Sequence, residues 1–179
     1  MGIDELLNEF ELARGTADPQ ALYQLNHYRL SENLGYLLKR TGAMLATAID
    51  QELTRFDLTH QQFAILMVLA ECNCSTAADL ARETCGDTGA ITRMLDRLEA
   101  KDIVRRVRSL EDRRVINIEL TDSGKQIVEK LPVVPVNVMN RHLQGFSKDE
   151  LETMKSYLRR LLSNGGMSLP GTTNKTASE

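Results

Sequence analysis

The apolar positions of this chain repeat at helical spacing over most of its length, and one region carries a strand pattern instead. From Leu30 to Phe56, the residues Leu34, Leu37, Leu38, Leu45, Ala48, Ile49 and Leu53 lie close to one stripe, which predicts a long first helix. Gly35 and Gly42 inside it leave room for a kink or a close neighbour. Upstream, Leu6, Leu7, Phe10 and Leu12 predict a short helix over Ile3–Ala13, closed by Gly15 and Pro19; it is either an arm that packs on a partner subunit or a loose helix. Thr59 with Gln62 forms a capping box opening a helix whose Phe63, Leu66, Met67 and Ala70 should face inward together. Thr76 with Asp79 looks like a second such start, carrying Leu80 and Ala81. After a turn at Glu83 to Gly86, Asp87 is placed to cap a third short helix. That helix has Ile91, Met94, Leu95 and Leu98 on one face and Thr88, Gly89, Thr92, Arg93, Asp96 and Arg97 on the other.

Ile103–Val107 and Val115–Leu120 are rich in β-branched residues and are joined by Arg108–Arg114, the pattern of a two-stranded hairpin. Thr121 should cap the next helix, through Ile127, Val128 and Leu131. Pro132 and Pro135 predict a bend or a helix start near Pro135. Ser147 with Glu150 is a further capping box, opening Leu151–Leu162, and Gly165–Gly166 ends that helix. Met167–Glu179 is small and polar, the composition of a disordered tail. The expected fold is therefore mainly α with a small β-hairpin.

Composition narrows the class. At 179 residues the chain suits one domain, or one domain with extensions, and 42% hydrophobic content is enough for a core. Aromatic residues are scarce and tryptophan is absent, whereas leucine and alanine dominate, which favours helices. No run approaches the length of a membrane span, and Met1–Arg14 carries four acidic residues, unlike a secretory signal. A cytoplasmic protein is expected. The three cysteines, Cys72, Cys74 and Cys85, are an odd count and do not make a disulfide framework in that compartment.

Charge points to the chemistry. Arg105, Arg106, Arg108, Arg113 and Arg114 stand within ten residues against only Glu111 and Asp112, a local +3 in a chain of formal net charge −3. A cationic ribbon on an acidic protein is most simply explained by a polyphosphate partner, the alternative being a hairpin made basic for solubility. The helix before it suits a DNA major groove. Thr meets a thymine methyl or a polar edge, Arg forks onto guanine, and a helix amino end favours phosphate. A solvated face is the competing explanation of that helix alone, and the adjacent basic hairpin shifts the balance to DNA. Thr88, Thr92 and Arg93 are the candidates for base edges or nearby phosphates, with Gly89 admitting close approach. Arg97 lies on the same side further along, where pairing with Asp96 or another acid is an equal alternative.

These segments resemble the winged helix-turn-helix of the MarR (multiple antibiotic resistance regulator) family of bacterial transcription factors. The matching stretches are LTHQQFAILMVL (Leu58–Leu69), DLA (Asp79–Ala81), GAITRMLDRLEAKDIVRR (Gly89–Arg106), DRR (Asp112–Arg114) and LTDSG (Leu120–Gly124), in the family's order and spacing. The likeness is close over Leu58–Lys130 and extends by helical layout over most of Leu30–Leu162. It implies a dimerisation helix, a winged helix-turn-helix DNA-binding domain (58–121) and C-terminal dimerisation helices (122–164); with the N-terminal arm, which lies outside the likeness, the first segment is 1–57, and the small polar end is a disordered tail (165–179). It also implies a homodimer on palindromic double-stranded DNA, each copy reading one half-site. An arginine of the wing tip would enter the minor groove, Arg113 first and Arg108 second, while Asp112 and Arg114 match the family's D-x-R pattern that holds the wing's shape.

Relatives of this kind are commonly released from operator DNA by a small aromatic acid or phenol bound in the crevice between the dimer helices and the winged domain. The resemblance makes Tyr28, Arg29, Ser31, Tyr36, Arg40 and His60 the candidate ligand residues. An arginine would pair with a carboxylate and a tyrosine or histidine with a phenol oxygen, although each taken alone is more simply an ordinary surface or packing residue. The urate-responsive branch uses a tryptophan here, which this chain lacks. Other relatives sense peroxide through a cysteine near the start of the first long helix, and none stands there. A redox repressor would have to use Cys85, before the third short helix, where a helix dipole could activate it. Nothing convergent points to catalysis or a cofactor. His27, His60 and His142 are scattered, no G-x-S-x-G, H-E-x-x-H or glycine-rich phosphate loop occurs, and Cys72-x-Cys74 lacks the partner pair of a zinc site. A protein-interaction module with a vestigial winged domain remains the other class; it would show no salt-dependent DNA binding.

Overall fold

The computed structural model describes residues 28–72 and 74–167, together with residues 2, 3, 5, 22 and 23. The helix expected over Ile3–Ala13, His27, and the tail from residue 168 onward lie outside the described residues. The chain divides into two units, residues 1–44 and 45–179.

In the first unit a 3-10 turn at Leu30–Glu32 stops at Asn33, whose backbone is extended (φ −74°, ψ 121°). Helix α1 (Leu34–Leu53) follows, so it starts four residues later than its apolar pattern predicts. Asn33 both breaks the chain and caps the new helix, its Oδ1 accepting the N–H of Tyr36 at 2.9 Å. The hydroxyl of Tyr23 accepts the N–H of Leu34 at 2.8 Å, satisfying a second donor of that end. Leu34, Leu37, Leu38 and Met44 are exposed. Helix α1 runs on through Gly42, where nothing stands within 4 Å of an added Cβ, so the close neighbour expected there is not found among the described residues.

The second unit is mainly α with one two-stranded antiparallel hairpin. It takes in the end of α1, a 3-10 turn at Thr54–Phe56, and then α2 (His60–Glu71), α3 (Ala77–Glu83) and α4 (Thr88–Ala100). Strands β1 (Val104–Arg108) and β2 (Ile116–Leu120) form the hairpin, with Val104 opposite Leu120 and Arg108 opposite Ile116. Helices α5 (Asp122–Val128), α6 (Val133–His142) and α7 (Lys148–Asn164) complete it. The caps expected from local sequence are present: Thr59, Thr76, Asp87, Thr121 and Ser147 each accept a first-turn N–H, and Thr59–Gln62 and Ser147–Glu150 are full capping boxes. Pro132 caps α6, so Pro135 falls in its first turn, where its missing N–H costs nothing.

The core gathers Leu53, Ile65, Leu66, Leu80, Ile91, Leu95, Leu98, Val104, Leu131, Val134 and Val138, all fully buried. Helix α2 differs from its expected orientation. Phe63 and Leu66 are buried and Met67 half-buried, but Ala70 is exposed, while Gln62 and Ile65 are buried. The reason is that α2 packs against β2, α3 and α5 together, which rotates its covered arc toward Gln62 and Ile65. Buried Gln62 is satisfied by its own cap, Oε1 accepting the Thr59 N–H at 3.1 Å. On α7, by contrast, Met154, Tyr157, Leu158 and Leu161 recur at i, i+3, i+4, i+7 and are all exposed, and no residue of that helix is buried.

Three chain reversals in this unit close in the same way around a residue other than glycine. Leu58 N–H reaches Leu53 O and Asp57 N–H reaches Thr54 O; Gly86 reaches Ala81 and Cys85 reaches Arg82; Ile103 reaches Leu98 and Asp102 reaches Glu99. These are paired 6→1 and 5→2 closures, the Schellman motif, and each puts a non-glycine residue in the left-handed region: Asp57 (φ 53°), Cys85 (φ 51°) and Asp102 (φ 55°). Such a residue costs about 1 kcal/mol relative to glycine.

Candidate nucleic-acid interface

Helix α4 carries the first half of the surface. Ile91, Leu95 and Leu98 are buried and Met94 half-buried against the core, which leaves Thr88, Gly89, Thr92, Arg93, Asp96 and Arg97 exposed, as their spacing predicts. Asp87 caps the helix with Oδ1 on the Ala90 N–H at 2.9 Å. A carboxylate therefore already occupies the amino end of α4, where the sequence suggested a phosphate. Gly89 serves that cap as well as leaving the surface bare, because a Cβ there would lie 3.2 Å from Asp87 Oδ1. Thr92 donates its hydroxyl proton to Thr88 O at 2.9 Å, which leaves its methyl and its lone pairs to meet a partner.

The hairpin, or wing, is pinned at its base. Thr121 N–H donates to Ile103 O at 3.1 Å, and its hydroxyl donates to Asp102 O at 2.6 Å and accepts the Gly124 N–H at 2.9 Å. The first turn of α5 is thereby pressed onto the chain entering β1, and a Cβ on Gly124 would stand only 2.0 Å from Ile103 O. On the other side of β2, Ile118 N–H donates to Ser75 O at 2.6 Å, so the α2–α3 connection adds a rung to the sheet.

The five arginines of the wing do not act alike. Arg105 pairs across the hairpin with Glu119, Nη2 to Oε2 at 2.8 Å. Arg106 lies over α4, its guanidinium bonded to Asp96 Oδ1 at 2.6 Å and to Glu99, while its backbone N–H reaches Glu99 Oε1 at 3.1 Å. Burial alone would lower the Arg106 pKa, but the hydrogen bonds to Asp96 and Glu99 outweigh it and hold the guanidinium more firmly charged. The sequence count of +3 thus overstates the free charge, because the acids that neutralise Arg105 and Arg106 lie on β2 and α4. It also removes one alternative for Arg97, because Asp96 is taken by Arg106. Among the described residues, the guanidinium groups of Arg93, Arg97, Arg108, Arg113 and Arg114 have no hydrogen-bonded partner, and all five residues are exposed.

At the tip Asp112 shapes the loop through the backbone. Its Oδ1 accepts the N–H of Arg114 at 2.9 Å and its carbonyl accepts that of Val115 at 2.9 Å. Ser109 Oγ accepts the Glu111 N–H at 3.2 Å, and Ser109 N–H closes the loop onto Val115 O at 3.0 Å. The D-x-R pair accordingly meets as carboxylate and main-chain amide.

The remaining candidates fall elsewhere. Tyr28, Arg29, Ser31 and Arg40 are exposed and Tyr36 half-buried, all in the first unit. His60, in the second, is half-buried as the first residue of α2, its backbone N–H bonded to Asp50. A cleft of about 610 Å³ that sequence reasoning missed lies beside the carboxyl end of α4, lined by Leu58, Gln62, Arg97, Ala100 and Lys101 among others, with Lys101 ion-paired to Asp57 at 2.8 Å. Cys85 is exposed but belongs to the carboxyl end of α3, and the amino end of α4 is capped by Asp87, so the dipole activation considered for it lacks its geometry. Cys72 and Cys74 are half-buried, and burial, then Glu83, pushes the Cys74 thiol up. Among the described residues no His/Cys/Asp/Glu cluster could hold a metal ion, and no helix is long and apolar enough to cross a membrane.

The MarR family model matches residues 58–116, from the end of the α1–α2 connection to the start of β2. The chain is similar to the HTH-type transcriptional regulator SarZ of Staphylococcus aureus (strain USA300), 30% identical over 142 residues that cover 79% of this chain and 94% of that protein. It is also similar to the organic hydroperoxide resistance transcriptional regulator of Bacillus subtilis (strain 168), 29% identical and covering 78% and 93%. Among solved structures it resembles the S. aureus MepR–DNA complex, with a TM-score of 0.66, 28% identity and coverage of 74% and 98%. An exposed helix α4 under a pinned basic wing, in a chain that aligns along nearly the whole of such relatives, identifies this protein as a DNA-binding transcriptional regulator of the MarR family.

Proposed function

We propose that the protein is a homodimeric repressor that sets α4 in successive major grooves of a palindromic operator and its wing tip in the flanking minor groove. In this scheme a small aromatic carboxylate or phenol releases it. The observation that carries the DNA contact is the group of exposed, unpaired guanidinium groups gathered on one helix and the adjoining hairpin, Arg93 and Arg97 on α4 and Arg108, Arg113 and Arg114 at the wing, beside Thr88, Gly89 and Thr92. Thr88, Thr92 and Arg93 meet base edges or adjacent phosphates, Arg113 enters the minor groove with Arg108 as its alternate, and Asp112 holds the tip with Arg114. The exposed stripes on α7 and on the first half of α1 support the dimer, since amphipathic helices of this length seek a partner for their apolar face.

For the effector, Arg29 and Arg40 suit a carboxylate, and Tyr28, Ser31, Tyr36 and His60 suit a phenol oxygen. Release then needs only a ligand that favours a dimer whose recognition helices no longer match the half-site spacing. The protein acts without catalysis, in the cytoplasm.

The test is a gel-shift titration on the chain's own upstream intergenic DNA, with and without benzoates, hydroxycinnamates and a mild oxidant. Release by one aromatic acid supports the ligand switch. Release by oxidant alone, abolished in Cys85→Ser, would replace it with a redox switch, for which the exposure of Cys85 is the favouring observation. Absence of binding at low salt would defeat the operator model.

A further inference from the structure

Leu110 is the most exposed large apolar side chain among the described residues, at 102%. An exposed leucine alone is ordinary; this one differs in what surrounds it. It stands at the wing tip between Arg108 and the Arg113–Arg114 pair, whose guanidinium groups are unpaired among the described residues. The loop carrying it is held closed by the Ser109–Val115 bond, by Ser109 Oγ on the Glu111 N–H and by Asp112 on the Arg114 N–H. Leu110 therefore gives nothing to folding, yet the loop backbone that carries it is held closed, whereas a tip of this kind is ordinarily filled by residues with turn chemistry.

We propose that Leu110 packs into the minor groove of the bound duplex as an apolar probe, its side chain against the deoxyribose walls while the arginines around it reach the groove and its phosphates. This rests on the reading that seats the wing in the minor groove, and it adds a contact that is neither ionic nor hydrogen-bonded. Apolar side chains are used in minor grooves in this way, to fill or wedge a groove whose rims are held by cations. The contact also carries a preference. Guanine alone puts an exocyclic amino group on the minor-groove floor, so a leucine seated there favours A·T or I·C pairs over G·C.

The experiment uses wild type, Leu110→Ala and Arg113→Ala on the chain's own upstream duplex, with the wing-facing pairs located by hydroxyl-radical footprinting and then replaced by G·C or I·C. Fluorescence anisotropy is read over a series of salt concentrations. Leu110→Ala should bind about tenfold more weakly. It should keep the wild-type slope of log affinity against log salt, narrow the preference for I·C over G·C, and leave thermal melting unchanged. Arg113→Ala should reduce the salt slope by about 1. Wild-type affinity in Leu110→Ala together with weakened binding in Arg113→Ala overturns the leucine contact and leaves the wing reading standing. Wild-type affinity in both variants overturns both.

Discussion

The base and the tip of the wing are built from the same residue type and do opposite things. At the base, Arg105 and Arg106 are spent inside the protein, bonded to Glu119 on β2 and to Asp96 and Glu99 on α4. They link the two strands to each other and the hairpin to the helix. At the tip, Arg108, Arg113 and Arg114 are unpaired and exposed, and the only acid engaged nearby, Asp112, is turned onto the backbone. The lesson is that a run of arginines is not a charge density. What a phosphate would meet depends on which guanidinium groups the fold has already matched, and here the matching stops between Arg106 and Arg108.

That division can be broken at either end. The largest effect belongs to the base: Gly124→Ala drives a Cβ into the Ile103 carbonyl, and chemical denaturation should register a loss of about 3 kcal/mol, with the wing displaced. At the tip, Arg113→Ala should lower operator affinity about 10- to 100-fold in anisotropy titrations while the melting temperature holds, since that side chain has no partner to lose. Asp112→Ala removes the acceptor of the Arg114 N–H and should weaken binding about fivefold, whereas Asp112→Asn keeps an acceptor and should recover most of it. Arg106→Gln is the smallest. It leaves Asp96 and Glu99 without their cation, costs under about 1 kcal/mol by denaturation, and changes operator affinity by no more than about twofold. A large affinity loss in Arg106→Gln with stability intact would erase the distinction between base and tip.

Features settled within four residues were legible beforehand. The caps at Thr59, Asp87, Thr121 and Ser147 and the hairpin to within one residue at each strand end follow from local hydrogen-bonding and propensity. The outward face of α4 was legible too, since one side of an amphipathic helix must be left over. What escaped depended on distant neighbours. The partners of Arg105 and Arg106 are set by strand register and by the crossing of the wing over α4, and the rotated face of α2 by how many elements cover it. The left-handed closure at Cys85 escaped for another reason: cysteine carries no preference for that region, while aspartate at the two companion reversals tolerates it. Asn33 falls inside the helix predicted from sequence because the apolar stripe continues past it, and stripe and break are independent signals.

The pinned base has a further consequence for how such a protein diversifies. With Thr121, Gly124 and Ile103 locking the two ends of the hairpin together, the seven residues from Ser109 to Val115 form a cassette that hangs from a finished fold. Exchange of that cassette for the tip of another regulator leaves every core contact in place, so wing preference is free to change by grafting, in the laboratory or in a lineage, without a search for a new scaffold.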